Sequence, residues 1–118
     1  MHDGTLQMTM LFDFFGDLLT DKQREYFDLY HNEDLSLSEI AERAGISRQG
    51  VYDIIMRAER TLVEAEQKTG IVRKWSETRT KLDKAEELAR ALLQQSEADK
   101  KSTDIASNLI HILEGLRD

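Results

Sequence analysis

Apolar residues return every three or four positions along most of this chain, with charged residues between them, and this pattern predicts helices throughout. Residues 1–4 read as an uncapped, disordered start. From Thr5 to Leu19, the residues Leu6, Met10, Leu11, Phe14, Phe15, Leu18 and Leu19 form one wide apolar stripe. That stripe is expected to pack as core, because a small helical unit cannot leave it in water; a partner-binding surface is the alternative. Thr20-Asp21-Lys22-Gln23 is a capping box, so a second helix starts at Asp21, carries Tyr26, Phe27, Leu29 and Tyr30, and ends near His31-Asn32. Trp75 is expected to open a later helix from Ser76 to about Gln95, with Leu82, Ala85, Leu88, Ala89, Leu92 and Leu93 on one side. A polar linker, Ser96–Ser102, precedes a last helix capped by Thr103, with a seam of Ile105, Leu109, Ile112, Leu113 and Leu116. The nearly heptad spacing in these last two helices suits either an internal antiparallel hairpin or pairing with a second chain.

The stretch Ser36–Arg60 carries the densest signals. Ser36-Leu37-Ser38-Glu39 is another capping box, and Leu35 with Ile40 is placed to form a hydrophobic staple. Leu37, Ile40, Ala41 and Ala44 share a face, and Gly45 stands where a left-handed residue ends a helix at little steric cost. Ile46 is expected to plug the corner, and Ser47 to cap a helix whose apolar residues are Val51, Ile54, Ile55, Ala58 and Leu62. This helix is expected to run to a C-cap at Gly70. The pattern is that of a helix-turn-helix, with Ile40, Ile46, Val51 and Ile54 on core positions and the second helix presented to a nucleic-acid groove.

Candidate contacts follow from the helical repeat. With Val51 and Leu62 turned inward, Gln49, Asp53, Met56 and Arg60 point outward, Tyr52 and Arg57 flank them, and Arg48 sits at the tip. Ser47 and the backbone at Gly50 lie at the helix start, where free N–H groups favour a phosphate. Gln49 suits adenine and Arg48 guanine, while Asp53 suits a cytosine amine. In the alternative reading, Arg57 and Arg60 only pair with Glu59, Glu64 or other acids along the helix.

Charge qualifies this picture. The net charge is −7, and residues 1–35 hold eight acids against two bases, while residues 36–60 balance four against four. Phosphate neutralisation supplies most non-specific affinity, so this balance argues against tight DNA binding by a monomer. The chain of 118 residues is 40% hydrophobic and 33% charged, with no proline and no cysteine. Long helices are therefore permitted, and disulfides and thiolate metal sites are excluded. No apolar run reaches membrane-spanning length, and no signal-peptide pattern opens the chain, so a cytoplasmic protein is expected. His2, His31 and His111 lack catalytic or metal-ligating companions, and His31 reads as a surface or helix-end histidine. No phosphate loop or dinucleotide fingerprint exists. No enzyme activity, cofactor or metal is expected.

The segment from Met10 to about Trp75 resembles the YlxM family of small bacterial helix-turn-helix proteins. The resemblance is carried by LLTDKQREYFDLY at Leu18–Tyr30 and DLSLSEIAERAGISRQGVYDII at Asp34–Ile55. It implies an all-α fold similar to region 4 of bacterial sigma factors. It also implies a role in the signal recognition particle pathway, because family genes commonly neighbour that of the particle's GTPase. Gly50 departs from the alanine expected there, at a cost in helix stability of about 1 kcal/mol.

The expected organisation is all-α: a helix-turn-helix domain over residues 1–72 and a C-terminal helical extension over residues 73–118 that serves as a dimerisation element. The expected function is nucleic-acid binding, as a regulatory or accessory component of the signal recognition particle pathway. The expected partners are DNA or the RNA of the signal recognition particle, the particle's GTPase and a second copy of the chain, without membrane insertion. A sequence-specific DNA-binding transcriptional regulator is the alternative.

Overall fold

The computed structural model of the chain describes residues 2–95, 97 and 99–117, with side chains from residue 7 onward. The elements are α1 (His2–Phe15), one turn of 3-10 helix (Gly16–Leu18), α2 (Asp21–His31), α3 (Leu37–Ala44), α4 (Arg48–Thr69), α5 (Ile71–Leu93) and α6 (Lys100–Leu116). Among the described residues there is no strand; the fold is all-α. The chain divides into two compact units, Met1–Val72 and Arg73–Asp118.

In the first unit α4 is the shared spine. Its buried residues Val51, Ile55, Ala58 and Leu62 follow a spacing that keeps one face turned to the core. The first two join Tyr26 of α2 and Ile40 and Ala41 of α3 in one cluster. Ala58 and Leu62 join Leu11, Phe15, Leu19, Phe27 and Val72 in a second. One 22-residue helix, about 33 Å long, thus packs against α2 and α3 at its start and against α1 further along. Phe12 and Phe27 stack with centroids 4.7 Å apart. The α1 stripe is divided: Leu11, Phe15 and Leu19 are buried, while Phe14 and Leu18 are exposed. The side chain of Leu6 lies outside the described residues.

Four boundaries differ from the sequence expectation, three of them for a capping reason. Helix α1 begins at His2 rather than Thr5 and ends at Phe15 rather than Leu19. Thr20 must be extended (φ −66°, ψ 163°) to cap α2, and the chain reaches it through a 3-10 turn closed by Leu19 N–H to the Gly16 carbonyl at 3.0 Å. Helix α5 begins at Ile71, not near Trp75. Gly70 alone makes the turn, at φ 63°, and side chains of α4 serve the new helix start. Val72 N–H donates to Glu66 Oε1 at 2.9 Å and Ile71 N–H to Thr69 Oγ1 at 3.4 Å. Helix α6 is capped by Asp99, whose Oδ1 accepts from Ser102 N–H at 2.6 Å. Thr103 lies inside the helix and donates its hydroxyl to the Asp99 carbonyl at 2.9 Å. Ser96 and Ala98 of the expected linker lie outside the described residues.

In the second unit α5 and α6 form an antiparallel hairpin. Arg90 meets Glu114 at 3.2 Å, and Arg117 meets Asp83 at 2.6 Å and Glu86 at 3.6 Å. Ala89, Ala106, Ile110 and Leu113 are buried.

Candidate nucleic-acid interface

The local chemistry that makes the helix-turn-helix is complete. Ser36 N–H donates to Glu39 Oε1 at 2.9 Å, and Glu39 N–H donates to Ser36 Oγ at 3.1 Å, closing the capping box of α3. The Ser36 backbone N–H, aided by the serine side chain, holds the Glu39 carboxyl below the usual carboxylate range. Gly45 ends α3 in the left-handed conformation (φ 71°, ψ 29°), with its N–H bonded to the Ala41 carbonyl at 2.9 Å. Ser47 then caps α4, accepting from Gly50 N–H at 3.0 Å. Leu35 packs against the cluster that contains Ile40, as the staple requires.

One core expectation needs correction. Ile46 does not plug the corner; it is 38% exposed. Ile54 is partly buried and packs against the cluster as expected, while its neighbour Ile55, at 2% exposure, takes the deepest position. The Gly45 turn carries Ile46 past the cluster, and the helical repeat that buries Val51, Ala58 and Leu62 centres on residue 55.

The outward face of α4 emerges as the wheel predicts. Ser47, Arg48, Gln49, Tyr52, Asp53, Met56, Arg57 and Arg60 are exposed, and Gly50 is half-buried. A Cβ at Gly50 would lie 3.2 Å from the capping Ser47 Oγ, so the absence of a side chain leaves the cap undisturbed. The Arg48 and Gln49 N–H groups lack helical acceptors, as at any helix start. Gln49 Nε2 donates to Asp53 Oδ1 at 2.9 Å, one turn along. Leu37, Arg48, Gln49 and Tyr52 line an open recess of about 430 Å³.

Among the described residues Arg48, Arg57 and Arg60 enter none of the ion pairs. The pairing of Arg57 or Arg60 with Glu59 or Glu64, the alternative weighed from the sequence, does not form. Glu59 is committed elsewhere: its Oε2 lies 2.7 Å from His31 Nε2. These side chains are 19% and 11% exposed. His31 also packs its ring on Phe27, with centroids 4.3 Å apart. It is therefore not a free surface histidine but a half-buried link between α2 and α4. Sequence spacing held no sign of it, since the partners stand 28 residues apart. Among the described residues no cluster of His, Asp or Glu is arranged to hold a metal ion. None of their helices is long and apolar enough to cross a membrane.

By fold and by the presentation of α4, this is a helix-turn-helix protein. Residues 2–105 match the UPF0122 family, described as "Putative helix-turn-helix protein, YlxM / p13 like", and the chain belongs to that family. It is 44% identical over 116 residues to a UPF0122 protein of Thermoanaerobacter sp. (strain X514), covering 98% of both chains. A relative from Caldanaerobacter subterraneus subsp. tengcongensis is 53% identical over 87 residues, 74% of each chain. One from Halalkalibacterium halodurans is 44% identical over 116 residues, 98% of this chain and 96% of the relative. The likeness read over Met10–Trp75 thus extends through α5 and into α6.

Proposed function

We propose that the outward face of α4 binds nucleic acid, and that the chain acts as a regulatory or accessory component of the signal recognition particle pathway, touching the particle's RNA or its GTPase. The observation that carries the binding reading is three exposed arginines without ion-pair partners, Arg57 and Arg60 on the outward side of α4 away from Val51, Ile55 and Leu62, and Arg48 at its tip. Arg57 and Arg60 contact phosphates. Ser47 and the backbone at Gly50 lie near another phosphate at the helix start. Arg48, Gln49 and Asp53 meet base edges once the Gln49–Asp53 hydrogen bond opens. Tyr52 and Met56 supply apolar contact beside them.

Charge favours a ribonucleoprotein target over bare duplex. The first unit holds fourteen acids against seven bases, which weakens attraction to any polyanion. A particle that also offers protein surface compensates for that weakness, and its location would make this chain cytoplasmic. The second reading, a sequence-specific DNA regulator, is favoured by one observation: Gln49 and Asp53 stand side by side at the helix tip with base-edge chemistry. One titration separates the two. The chain is mixed with signal recognition particle RNA and with operator-length DNA at two salt concentrations. Tighter binding to the RNA supports the first reading, and saturable, sequence-dependent binding to DNA alone supports the second. Binding to neither overturns the nucleic-acid assignment.

A further inference from the structure

The hairpin of α5 and α6 leaves a large apolar stripe uncovered. Ile105, Leu109, Ile112 and Leu116 are 56%, 43%, 59% and 57% exposed, while Ala106, Ile110 and Leu113 between them are buried. The exposed four follow a four-three-four spacing, the seam of a helix that packs on another helix. On α5, Leu88 is 59% exposed although its neighbour Ala89 is buried.

The ion pairs fix which side of the hairpin these residues occupy. Asp83, Glu86 and Arg90 of α5 meet Glu114 and Arg117 of α6, so they lie along one edge. With 3.6 residues per turn and Ala89 turned toward α6, Leu88 falls on the opposite edge. With Ile110 turned toward α5, Leu109 and Leu116 fall on that same opposite edge, and Ile105 and Ile112 continue it outward. One edge of the hairpin is thus sealed by charges and the other is apolar.

We propose that this apolar edge is a homodimer interface, covered by the same edge of a second copy of the chain, so that two hairpins form a four-helix bundle. Three features favour a second copy. Between Ile105 and Leu116 the only formal charge is Glu114, already engaged by Arg90; charge depletion of this kind marks the centre of an interface. The α6 side of the edge, which carries four of the five exposed apolar side chains, brings no like-charge repulsion when it meets itself, as a two-fold contact requires, while Lys81 and Lys84 flank Leu88 on the α5 side. The area also suffices. Each of the five side chains offers on the order of 100 Å² of apolar surface, so two copies together bury on the order of 1,000 Å², the lower bound for a specific interface. Gly115 beside the seam has open space around its Cβ position, so nothing of the hairpin itself obstructs close approach there.

The inference is independent of the nucleic-acid reading and is tested on the full chain by sedimentation equilibrium across micromolar concentrations. The expected species has twice the 13.6 kDa chain mass. Leu109→Glu together with Ile112→Glu should give the single-chain mass with unchanged far-ultraviolet circular dichroism, because both side chains stand outside the hairpin core. Should that variant lose helix, the milder Leu109→Ser with Ile112→Ser should weaken dimerisation at least tenfold while keeping the helical signal. A wild-type monomer at every concentration overturns the proposal and leaves the edge to a different partner. A dimer that survives the substitutions in a folded protein overturns the assignment to this edge.

Discussion

Replacing His31 with alanine removes the polar link between α2 and the middle of α4. Its Nε2 lies 2.7 Å from Glu59 Oε2, with the two side chains only 11% and 19% exposed, so water competes weakly for either group. A hydrogen bond to a charged group contributes about 1.5–3 kcal/mol. The same substitution removes the ring contacts with Phe27 at 4.3 Å and Tyr30 at 5.1 Å. A favourable ring pair adds about 0.5–1.5 kcal/mol. His31→Ala should therefore destabilise the protein by about 2–4 kcal/mol. Glu59→Gln, which keeps the shape and a neutral hydrogen bond, should cost about 1 kcal/mol. The discriminating assay is a double-mutant cycle of His31→Ala and Glu59→Ala, read by urea unfolding. The coupling should be at least about 1 kcal/mol, since residues in direct contact couple by about 0.5–3 kcal/mol. Single effects that add to within about 0.3 kcal/mol would refute the reasoning and reduce the contact to a coincidence of two surfaces.

Arg48→Ala and Gln49→Ala should each weaken nucleic-acid binding by about 1–3 kcal/mol and relax base preference in competition assays. Gly45→Ala should cost about 1–2 kcal/mol in thermal unfolding, because its φ of 71° is left-handed while no atom lies within 4 Å to clash with the new methyl. Acid should loosen the start of α3. The Glu39 carboxyl is held low by the Ser36 N–H, so its stabilisation is present above the unfolded carboxylate range and is lost as pH falls through the lowered folded value. Glu39→Gln keeps a capping box without titrating, and its melting temperature should fall less between neutral and acidic pH than that of the wild type.

The elements most legible in the sequence were those built from neighbours. Thr20 with Gln23 and Ser36 with Glu39 announce helix starts because each box closes within four residues. Gly45 and Gly70 announce stops because few other residues take positive φ cheaply. The outward face of α4 was readable because Val51, Ala58 and Leu62 alone orient the helix. Signals that cross between elements were not readable. The His31–Glu59 link spans two helices, and the start of α5 depends on Glu66 and Thr69 reaching forward from α4. At α6 two residues competent to cap stood four apart, and Asp99 took the role because Ser102 N–H reaches its carboxylate. Ile46 looks like core by composition; only the path of the turn decides that it is not, and the phase of α4 leaves Ile54 at the margin of the cluster with Ile55 deepest. The two arrangements weighed for the C-terminal helices also proved incomplete as alternatives, since the hairpin forms yet buries only Ala106, Ile110 and Leu113 of α6.

The central claim is that the free arginines of α4 meet phosphates and bases. The most direct test is the salt dependence of nucleic-acid binding by the wild type and by the combined Arg48→Ala, Arg57→Ala, Arg60→Ala variant. Each arginine lost from a phosphate lowers the slope of log K against log salt by about 0.7–0.9. With Arg57 and Arg60 on phosphates and Arg48 at a base edge, the variant should bind more weakly and with a slope shallower by about 1.4–1.8. Equal affinity and equal slope in a folded variant would contradict the account and assign α4 to a scaffold whose partner binds elsewhere.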